Sequence, residues 1–202
     1  MLYYSIDTAR RSALSRVVVS TDGKQIARVA SALRADVIHR PAEFATDTAR
    51  IELAVKHALY ECEKQDGEYD AVMLLQNSSP LRTVQDLNNC IVYLDTLGYN
   101  SITSITEVHE HPYKILTWEG RLLPWMAEMD RVFYRRQDLP KMYIANGAIY
   151  VIKRDAFIKE DKMIAHNAGA YVMPRERSID AHTVYDAIMA EALIKKGILK
   201  NG

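Results

Sequence analysis

Short apolar runs alternate with segments of helical periodicity along most of this chain. Strands are predicted at 16–20, 36–39, 71–75, 101–106, 148–152 and 171–173, where residues are β-branched or continuously apolar. Helices are predicted at 3–14, 24–34, 49–65, 83–97 and 183–196. Thr83 with Asp86, and Thr183 with Asp186, have the spacing of a capping box. This alternation predicts an α/β fold whose mostly parallel sheet is covered on both faces.

Residues 108–145 depart from this pattern. They contain three of the six prolines, both tryptophans and the basic doublet Arg135-Arg136, with weak periodicity. This composition favours an excursion from the sheet over a further strand–helix unit. We find no internal repeat and no low-complexity tract. We therefore predict a single domain over 1–202 that contains an excursion at 108–145.

The strand at 71–75 runs directly into a polar turn. Open α/β sheets bind their ligands at the carboxyl ends of their strands. Gln76, Ser78, Ser79 and Arg82 offer an amide, two hydroxyls and a cation there, which suits an anionic, hydroxyl-rich ligand. A strand that leads into a helix N-cap, with no ligand, is the alternative interpretation of the same residues.

Composition and charge narrow the classes of function. Of the 202 residues, 49% are hydrophobic and 26% charged, which is ordinary for a globular domain. Lys plus Arg and Asp plus Glu both number 26, which argues against a nucleic-acid partner or an anionic membrane surface. Cys62 and Cys90 are far apart, no apolar run reaches the length of a membrane span, and Asp7 and Arg10 argue against a secretory signal. We expect a soluble, cytoplasmic protein.

Four segments in register resemble the acylneuraminate cytidylyltransferases, the enzymes that make CMP-activated sialic acids and related nonulosonic acids. They are VVVSTD at 17–22, RPAEFATDTA at 40–49, LLQNSSPLRT at 74–83 and NGAIY at 146–150, the last followed by RSID at 177–180. Each segment is a weak signal alone, but their order and spacing match the family across nearly the whole chain. The resemblance implies a three-layer α/β/α domain of the nucleotide-diphospho-sugar transferase type. It also implies a homodimer, with residues 108–145 as the excursion that swaps between subunits.

The resemblance further implies that CMP passes from CTP to the anomeric hydroxyl of a nonulosonic acid, with release of pyrophosphate. Arg40 matches a position near the cytidine, and the main chain of Ala49 matches the position that reads the cytosine edge. The matches to the sugar-acid site are Gln76, Lys114, Arg136, Asn146 and Tyr150, of which Lys114 and Arg136 would come from the partner subunit. For several of these residues, a structural or solvent-exposed position is the alternative to ligand binding. Arg40 can pair with Glu43 in a loop, Lys114 and Arg136 can be solvated, and Tyr150 can belong to the core.

Asp180 matches the first of two metal-holding aspartates of the family, so Asp180 and Gln76 are the predicted catalytic positions. Carboxylate oxygens suit Mg²⁺, the implied cofactor, although an acid near a helix N-terminus can simply interact with the helix dipole. His182 stands where the second aspartate is expected, and imidazole is a weak Mg²⁺ ligand. His109 and His111 share strand spacing, but no third ligand is at hand, which favours a structural role. The charged segment 175–177 is interpreted as a solvated ion-pair patch.

Several departures from the family pattern predict a lower activity. The family begins with a strand and an Ala-Arg-x-Gly-Ser-Lys-Gly type loop that holds the CTP phosphates, and neither occurs in these 202 residues. Ile51 and Ile144 stand where many members place a serine near the base and an arginine near the sugar acid. We expect the DNA upstream of Met1 to encode the strand and loop in frame, and we expect the chain as written to be poorly active. The alternatives are a cytidylyltransferase for legionaminate, pseudaminate or a ketodeoxy acid, or a non-catalytic truncated homologue that only dimerises.

Overall fold

The computed structural model of the chain describes residues 1–124 and 135–197. The helices are α1 (Leu2–Arg10), α2 (Lys24–Ala32), α3 (Ile51–Asp66), α4 (Val84–Thr96), α5 (Arg154–Glu160) and α6 (Val184–Lys195). The strands are β1 (Val18–Thr21), β2 (Asp36–His39), β3 (Ala71–Leu74), β4 (Ser101–Glu107), β5 (Leu116–Trp118), β6 (Leu122–Pro124), β7 (Tyr143–Lys153) and β8 (Ala168–Val172). The predicted order of elements is confirmed, but α5 and the short strands β5 and β6 were not predicted.

Two capping boxes start helices where the sequence predicts them. The Thr83 hydroxyl accepts from the backbone N–H of Asp86, whose carboxylate accepts from the N–H of Thr83 at 2.8 Å. Thr183 and Asp186 make the same reciprocal pair at the start of α6. Helix boundaries without such a signal are less accurate, and α1 ends at Arg10 rather than near residue 14.

The strands form two sheet segments and a small hairpin. One segment is the parallel pair β1–β2, and the other has the order β3-β7-β4-β8. In the larger segment β7 runs antiparallel to β3 and β4, whereas β4 and β8 are parallel. The predicted parallel sheet is therefore confirmed with one exception, since β7 enters from the excursion in the opposite direction. The hairpin β5–β6 lies inside that excursion.

Helices cover both faces of the sheet. Neighbouring residues Val151 and Ile152 of β7 lie in two different core clusters, because successive side chains of a strand point to opposite faces. The cluster around Val151 includes residues of α1 and α4, and the cluster around Ile152 includes residues of α3 and α5. A third cluster packs Ile6 of α1 and Ala30 of α2 against β1 and β2. The three-layer α/β/α architecture is confirmed.

The excursion at 108–145 is described only in part. Trp118 of β5 is 73% exposed, and His111 is buried, where its Nε2 lies 3.0 Å from the carbonyl oxygen of Pro140. Residues 125–134 lie outside the described ranges, so Trp125 and Met126 receive no structural account. The single-domain boundary and the swap between subunits stay predictions. Within the described ranges, no helix is both long and apolar enough to cross a membrane.

Candidate active site

Gln76, Gly147 and Asp180 meet at the carboxyl end of β3. A Cβ atom added at Gly147 would lie 2.7 Å from Oε1 of Gln76 and 3.1 Å from Oδ2 of Asp180. Gly147 also has a φ of +74°, which L side chains rarely adopt. The glycine therefore lets these two predicted catalytic side chains approach each other from segments that are about a hundred residues apart.

A bulge in β7 presents Gly147. Thr103 of β4 pairs with Tyr150, and Ile105 pairs with Ala145, so residues 146–149 bulge opposite one residue of β4. That residue, Ser104, is fully buried, and its hydroxyl donates to Oδ1 of Asn146 at 2.6 Å and accepts from the N–H of Ile149 at 2.8 Å. Bulges often occur beside active sites because they re-aim a strand locally.

Asn146, predicted to contact the sugar acid, is 5% exposed, and its side-chain amide is hydrogen-bonded to other residues of the protein. Its Nδ2 donates to the Ser178 hydroxyl at 2.8 Å and lies 3.4 Å from the Met173 sulfur. Its Oδ1 accepts from the hydroxyl of Ser104 and from the N–H of Ala148. In this arrangement, Asn146 ties the β7 bulge to the segment that carries Asp180.

Asp180 combines a paired and an unpaired carboxylate oxygen. Its Oδ2 lies 2.8 Å from Nε2 of His182. Its Oδ1 is buried, and no residue in the described part of the chain hydrogen-bonds to it. The N–H of Ala181 donates to the carbonyl oxygen of Ser78 at 2.7 Å, which holds this segment against the turn after β3.

Tyr150 lies close enough to Asp180 for the charge of Asp180 to affect its pKa. Burial is the main reason that the pKa of the Tyr150 hydroxyl is raised, and the negative charge of Asp180 adds to the effect. Tyr150 also packs against the core cluster beneath α3 and α5. The side chain thus belongs both to the core and to the surroundings of Asp180.

The turn after β3 corrects one sequence interpretation. Arg82 is 1% exposed, and its guanidinium donates to the carbonyl oxygens of Ala148 and Gln76 at 2.8 and 2.9 Å and to the hydroxyl of Ser5. Burial lowers its pKa to about 10. Arg82 therefore acts inside the protein and braces the backbone at Gln76, rather than offering a cation to a ligand.

In the charged segment 175–177, Arg175 and Glu176 are exposed as predicted, but Arg177 is not part of a solvated patch. Arg177 donates to both carboxylate oxygens of Asp86, which is fully buried at the start of α4. The Tyr171 hydroxyl donates to the same carboxylate at 2.9 Å. These three residues anchor the chain just before Ser178 and Asp180. The only local signal in the sequence was the capping spacing of Asp86.

Arg40 lies across a cavity from Gln76. The cavity has a volume of about 510 Å³, and Arg40, Gln76, Ser78 and His182 line one end of it. The guanidinium of Arg40 donates to the carbonyl oxygen of Ser20 at 2.7 Å and to its hydroxyl at 3.2 Å. The loop arginine therefore pairs with Ser20 of β1 rather than with Glu43, and it faces the same space as Gln76.

The other positions predicted to contact the nucleotide or the sugar acid, Ala49, Lys114 and Arg136, do not line the cavity. Ala49 is in the loop before α3, where its N–H donates to the carbonyl oxygen of Thr46. Lys114 and Arg136 are exposed in the excursion and do not line the cavity. Ile51, at a family serine position, lines the cavity, whereas Ile144 is 57% exposed at the start of β7. Within one subunit, Asp180 is linked to Gln76 through Gly147, to His182 by an ion pair and to Tyr150 by its charge, and Arg40 shares the cavity with Gln76 and His182.

Asp180 offers Mg²⁺ a carboxylate oxygen. Mg²⁺ is commonly held by one or two carboxylates together with waters and substrate phosphates. The unpaired Oδ1 of Asp180 provides one hard anionic oxygen, and the imidazole of His182 contacts the other oxygen of the same carboxylate. Among the described residues, no group of three His, Cys, Asp or Glu side chains that could hold a metal is present. The residues fit a weakly held Mg²⁺ that relies on substrate oxygens.

Two curated proteins are similar to this chain in sequence. N-acylneuraminate cytidylyltransferase of Streptococcus agalactiae serotype V is 30% identical over 193 residues, which are 93% of this chain but only 45% of that protein. CMP-N,N'-diacetyllegionaminic acid synthase of Campylobacter jejuni is 30% identical over 205 residues, covering 100% of this chain and 85% of that protein. The chain therefore spans less than half of the streptococcal relative.

A solved structure and a family model complete the comparison. The structure of CMP:2-keto-3-deoxy-manno-octonic acid synthetase complexed with CTP superposes on this chain with a TM-score of 0.64 at 12% sequence identity. The superposition covers 95% of this chain and 87% of the synthetase chain. At this identity the similarity shows the fold alone. The family model described as Cytidylyltransferase matches residues 1–191. Because this family model matches nearly the whole length of the chain, the chain belongs to the cytidylyltransferase family.

Proposed function

We propose that this domain serves the transfer of CMP from CTP to the anomeric hydroxyl of a nonulosonic acid. The hydroxyl oxygen attacks the α-phosphorus, the bond from that phosphorus to the bridging oxygen breaks, and pyrophosphate leaves with the electron pair. The hydroxyl proton passes to solvent. The observation that carries the proposal is the convergence of Gln76 and Asp180 around Gly147, with Gln76 facing Arg40 across the cavity.

Each residue has a role that its surroundings support. The guanidinium of Arg82 holds the backbone carbonyl of Gln76, and the side-chain amide of Gln76 would orient the hydroxyls of the sugar acid. Arg40 places a cation at the opposite wall, where it would contact the nucleotide. Ala49 would read the cytosine edge through its main chain. Phosphoryl-type transfer depends mostly on such positioning and on charge stabilisation.

Asp180 is the residue that we propose to hold Mg²⁺, through its unpaired Oδ1. Bound there, the ion supplies positive charge that neutralises phosphate oxygens. Lys114 and Arg136 would reach the sugar acid only from a second subunit, so the proposal includes a homodimer formed through 108–145. The exposed Trp118 supports an apolar contact on this excursion.

A second candidate is a domain that binds CTP but turns it over slowly. In the part of the chain that the structure describes, Arg40 is the only Arg or Lys side chain that lines the site end of the cavity. A triphosphate carries several negative charges, and preorganised donors around such a group commonly change the rate by orders of magnitude. The identity of the acid sugar is a separate alternative, since the relatives named above act on different acids.

The test is pyrophosphate release from CTP and Mg²⁺ with N-acetylneuraminate, legionaminate or a ketodeoxy acid as acceptor. It is run on residues 1–202 and on a fusion that carries the N-terminal segment of the streptococcal relative. We expect acceptor-dependent release by the fusion, and loss of that release in Asp180→Ala and Gln76→Ala. CTP binding to residues 1–202 without release by either protein would favour the second candidate. No CTP binding by either protein would refute both candidates.

A further inference from the structure

A chain of buried hydrogen bonds runs from β4 to the segment that carries Asp180. It joins Ser104, Asn146 and Ser178, and we call these three residues the Ser104 network. The Ser104 hydroxyl donates to Oδ1 of Asn146 at 2.6 Å, and Nδ2 of Asn146 donates to the Ser178 hydroxyl at 2.8 Å. The Ser178 hydroxyl in turn donates to the carbonyl oxygen of Pro174 at 2.9 Å. Because Ser104 is fully buried and Asn146 is 5% exposed, bulk water competes little for these bonds.

Two backbone amides fix the direction of the bonds in the Ser104 network. The N–H of Ala148 donates to Oδ1 of Asn146 at 3.2 Å, and the N–H of Ile149 donates to the Ser104 hydroxyl oxygen at 2.8 Å. A backbone N–H can only donate, so Oδ1 of Asn146 is an acceptor and Nδ2 faces Ser178. The single proton of the Ser104 hydroxyl goes to Oδ1 of Asn146 at 2.6 Å, which is nearer than the carbonyl oxygen of Ile149 at 3.1 Å. The network therefore has one arrangement of donors and acceptors.

The protein itself occupies the hydrogen-bonding positions of the Asn146 side chain. Its oxygen accepts from Ser104 and from Ala148, and its nitrogen donates to Ser178 and faces the Met173 sulfur at 3.4 Å. A side-chain amide has two acceptor and two donor positions, and all four are used here. This favours a role in which Asn146 acts through the residues that it holds, rather than by contact with the sugar acid.

The Ser104 network holds both sides of the close approach at Gly147. The two neighbours of Gly147 in the chain are Asn146 and Ala148, and the hydrogen bond between them holds the glycine in its left-handed conformation. At the other end of the network, Ser178 lies two residues before Asp180. A Cβ atom added at Gly147 would lie within 3.1 Å of the side chains of both Gln76 and Asp180. A shift at either end of the network would therefore change the separation of these two side chains.

We propose that Ser104 is a positioning residue for CMP transfer. Through Asn146 and Ser178, its hydroxyl sets the distance between the side-chain amide of Gln76 and the carboxylate of Asp180. The inference rests on the proposed function, in which Gln76 orients the sugar acid and Asp180 holds Mg²⁺. Ser104 touches neither the substrates nor the metal, so its effect reaches the reaction only through the network.

The expected effect falls on the rate of the bound complex. Arg40, the proposed nucleotide contact, is hydrogen-bonded to Ser20 of β1 and not to the Ser104 network. The affinity for CTP should therefore survive a change at Ser104. A misplacement of reacting groups by about 1 Å can cost roughly a hundredfold in rate, and smaller shifts cost less. Loss of the Ser104 hydroxyl should thus lower kcat and leave the KM for CTP nearly unchanged.

The test compares Ser104→Ala with Ser101→Ala in the faster of the two proteins of the pyrophosphate assay. Ser101 is the matched control, because it is also fully buried on β4 and its hydroxyl accepts from the N–H of Ala165 at 2.9 Å. We expect Ser104→Ala to lower kcat at least about tenfold, with the KM for CTP within about twofold. Ser101→Ala should leave both within about twofold. Thermal melts of the two variants measure the stability that each one loses.

Substitutions at Ser178 test the other end of the network. Ser178→Ala removes the acceptor of Asn146 and should lower kcat, whereas the conservative Ser178→Thr retains a hydroxyl and should recover most of the rate. Because both serines act through Asn146, the double variant Ser104→Ala/Ser178→Ala should be at most about twofold slower than the slower single variant. Two independent structural losses would instead multiply.

Hydrogen exchange of residues 1–202 tests the geometry without CTP or turnover. The N–H of Ala148 is bound to Asn146, and the N–H of Ala181, next to Asp180, is bound to the carbonyl oxygen of Ser78. Neither amide contacts Ser104, so faster exchange at both would have to pass through the network. We expect exchange at least about fivefold faster in Ser104→Ala, but not in Ser101→Ala.

Three results would overturn the proposal. They are an unchanged kcat in Ser104→Ala, an equal fall of kcat in Ser101→Ala, and unchanged exchange at Ala181. If Ser104→Ala does not fold, the Ser178 variants decide, and equal rates of Ser178→Ala and Ser178→Thr would overturn the proposal. If neither parent protein releases pyrophosphate, the proposed function is refuted instead. The exchange measurement then decides by itself whether Ser104 holds the segment that carries Asp180.

Discussion

The guanidinium of Arg177 donates two hydrogen bonds, of 2.7 and 3.1 Å, to the carboxylate of Asp86, although 91 residues separate the pair in the sequence. Asp86 is buried at the start of α4, and this bond raises the pKa of the Arg177 guanidinium. The pair fixes the chain three residues before Asp180. It therefore links the stability of the domain to the geometry of the candidate site.

Replacing Arg177 by Met should destabilise the domain by about 3 kcal/mol, because a buried carboxylate loses its charged partner. Urea unfolding of residues 1–202 measures the change. Arg175→Met is the matched control, since Arg175 is exposed, and it should change the free energy of unfolding by less than about 0.5 kcal/mol. Equal effects of the two substitutions would show that the pair does not contribute.

Gly147→Ala should damage the site as well as the backbone. Its φ of +74° predicts a loss of about 1 kcal/mol, and its Cβ would also press on Gln76 and Asp180. Gly98→Ala is the control, because Gly98 has a φ of +72° and no neighbouring atom within 4 Å of its added Cβ. We expect similar losses of stability, but a raised KM for the sugar acid only in the Gly147 variant of the active fusion. A KM that rises equally in both would contradict the placement of Gly147 in the site.

His182→Asp should raise the affinity for Mg²⁺. Its imidazole lies 2.8 Å from Asp180, so a carboxylate there adds an anionic oxygen beside the first. The Mg²⁺ concentration for half-maximal pyrophosphate release by the fusion should fall. His166→Asp introduces the same charge at an exposed position that does not line the cavity, and it should have no effect. An unchanged Mg²⁺ dependence in His182→Asp would place position 182 outside the coordination shell.

Residues 1–202 alone should make CMP-sugars at a low rate, and the fusion with the relative's N-terminal segment should be faster by orders of magnitude. The physical reason is charge, since Arg40 cannot hold a triphosphate and contact the base together. Pyrophosphate release by the two proteins at matched concentration measures the ratio. Robust turnover by residues 1–202 would mean that other groups hold the phosphates.

Residues 108–145 should form a homodimer contact. Trp118 is 73% exposed, and Ile115 and Leu116 beside it are partly exposed as well. Light scattering at micromolar concentration should therefore show a dimer, and Trp118→Asp should shift it towards monomer. Tyr185→Asp, at an exposed aromatic residue of α6, should not. A monomeric parent protein would remove the basis for placing Lys114 and Arg136 in a shared site.

Sequence alone determined the elements that carry their own local signals. The bounds of β2 and the starts of α4 and α6 follow from apolar runs and from capping residues within four positions of each other. Gln76 at the end of a buried strand was also recognisable, because strand ends mark ligand sites in α/β folds. Such signals work because each depends on neighbours in the chain.

Tertiary structure decided the features that join distant segments. The reversed direction of β7, the inward use of Arg82 and Asn146, and the Asp86–Arg177 pair all depend on partners dozens of residues away. The local sequence around an arginine does not show whether its side chain faces solvent or a buried carboxylate. Its role is set by burial and by the partners that the fold brings to it, which no local pattern encodes. The cavity that Arg40 and Gln76 line likewise appears only when the fold places β1 and β3 on either side of it.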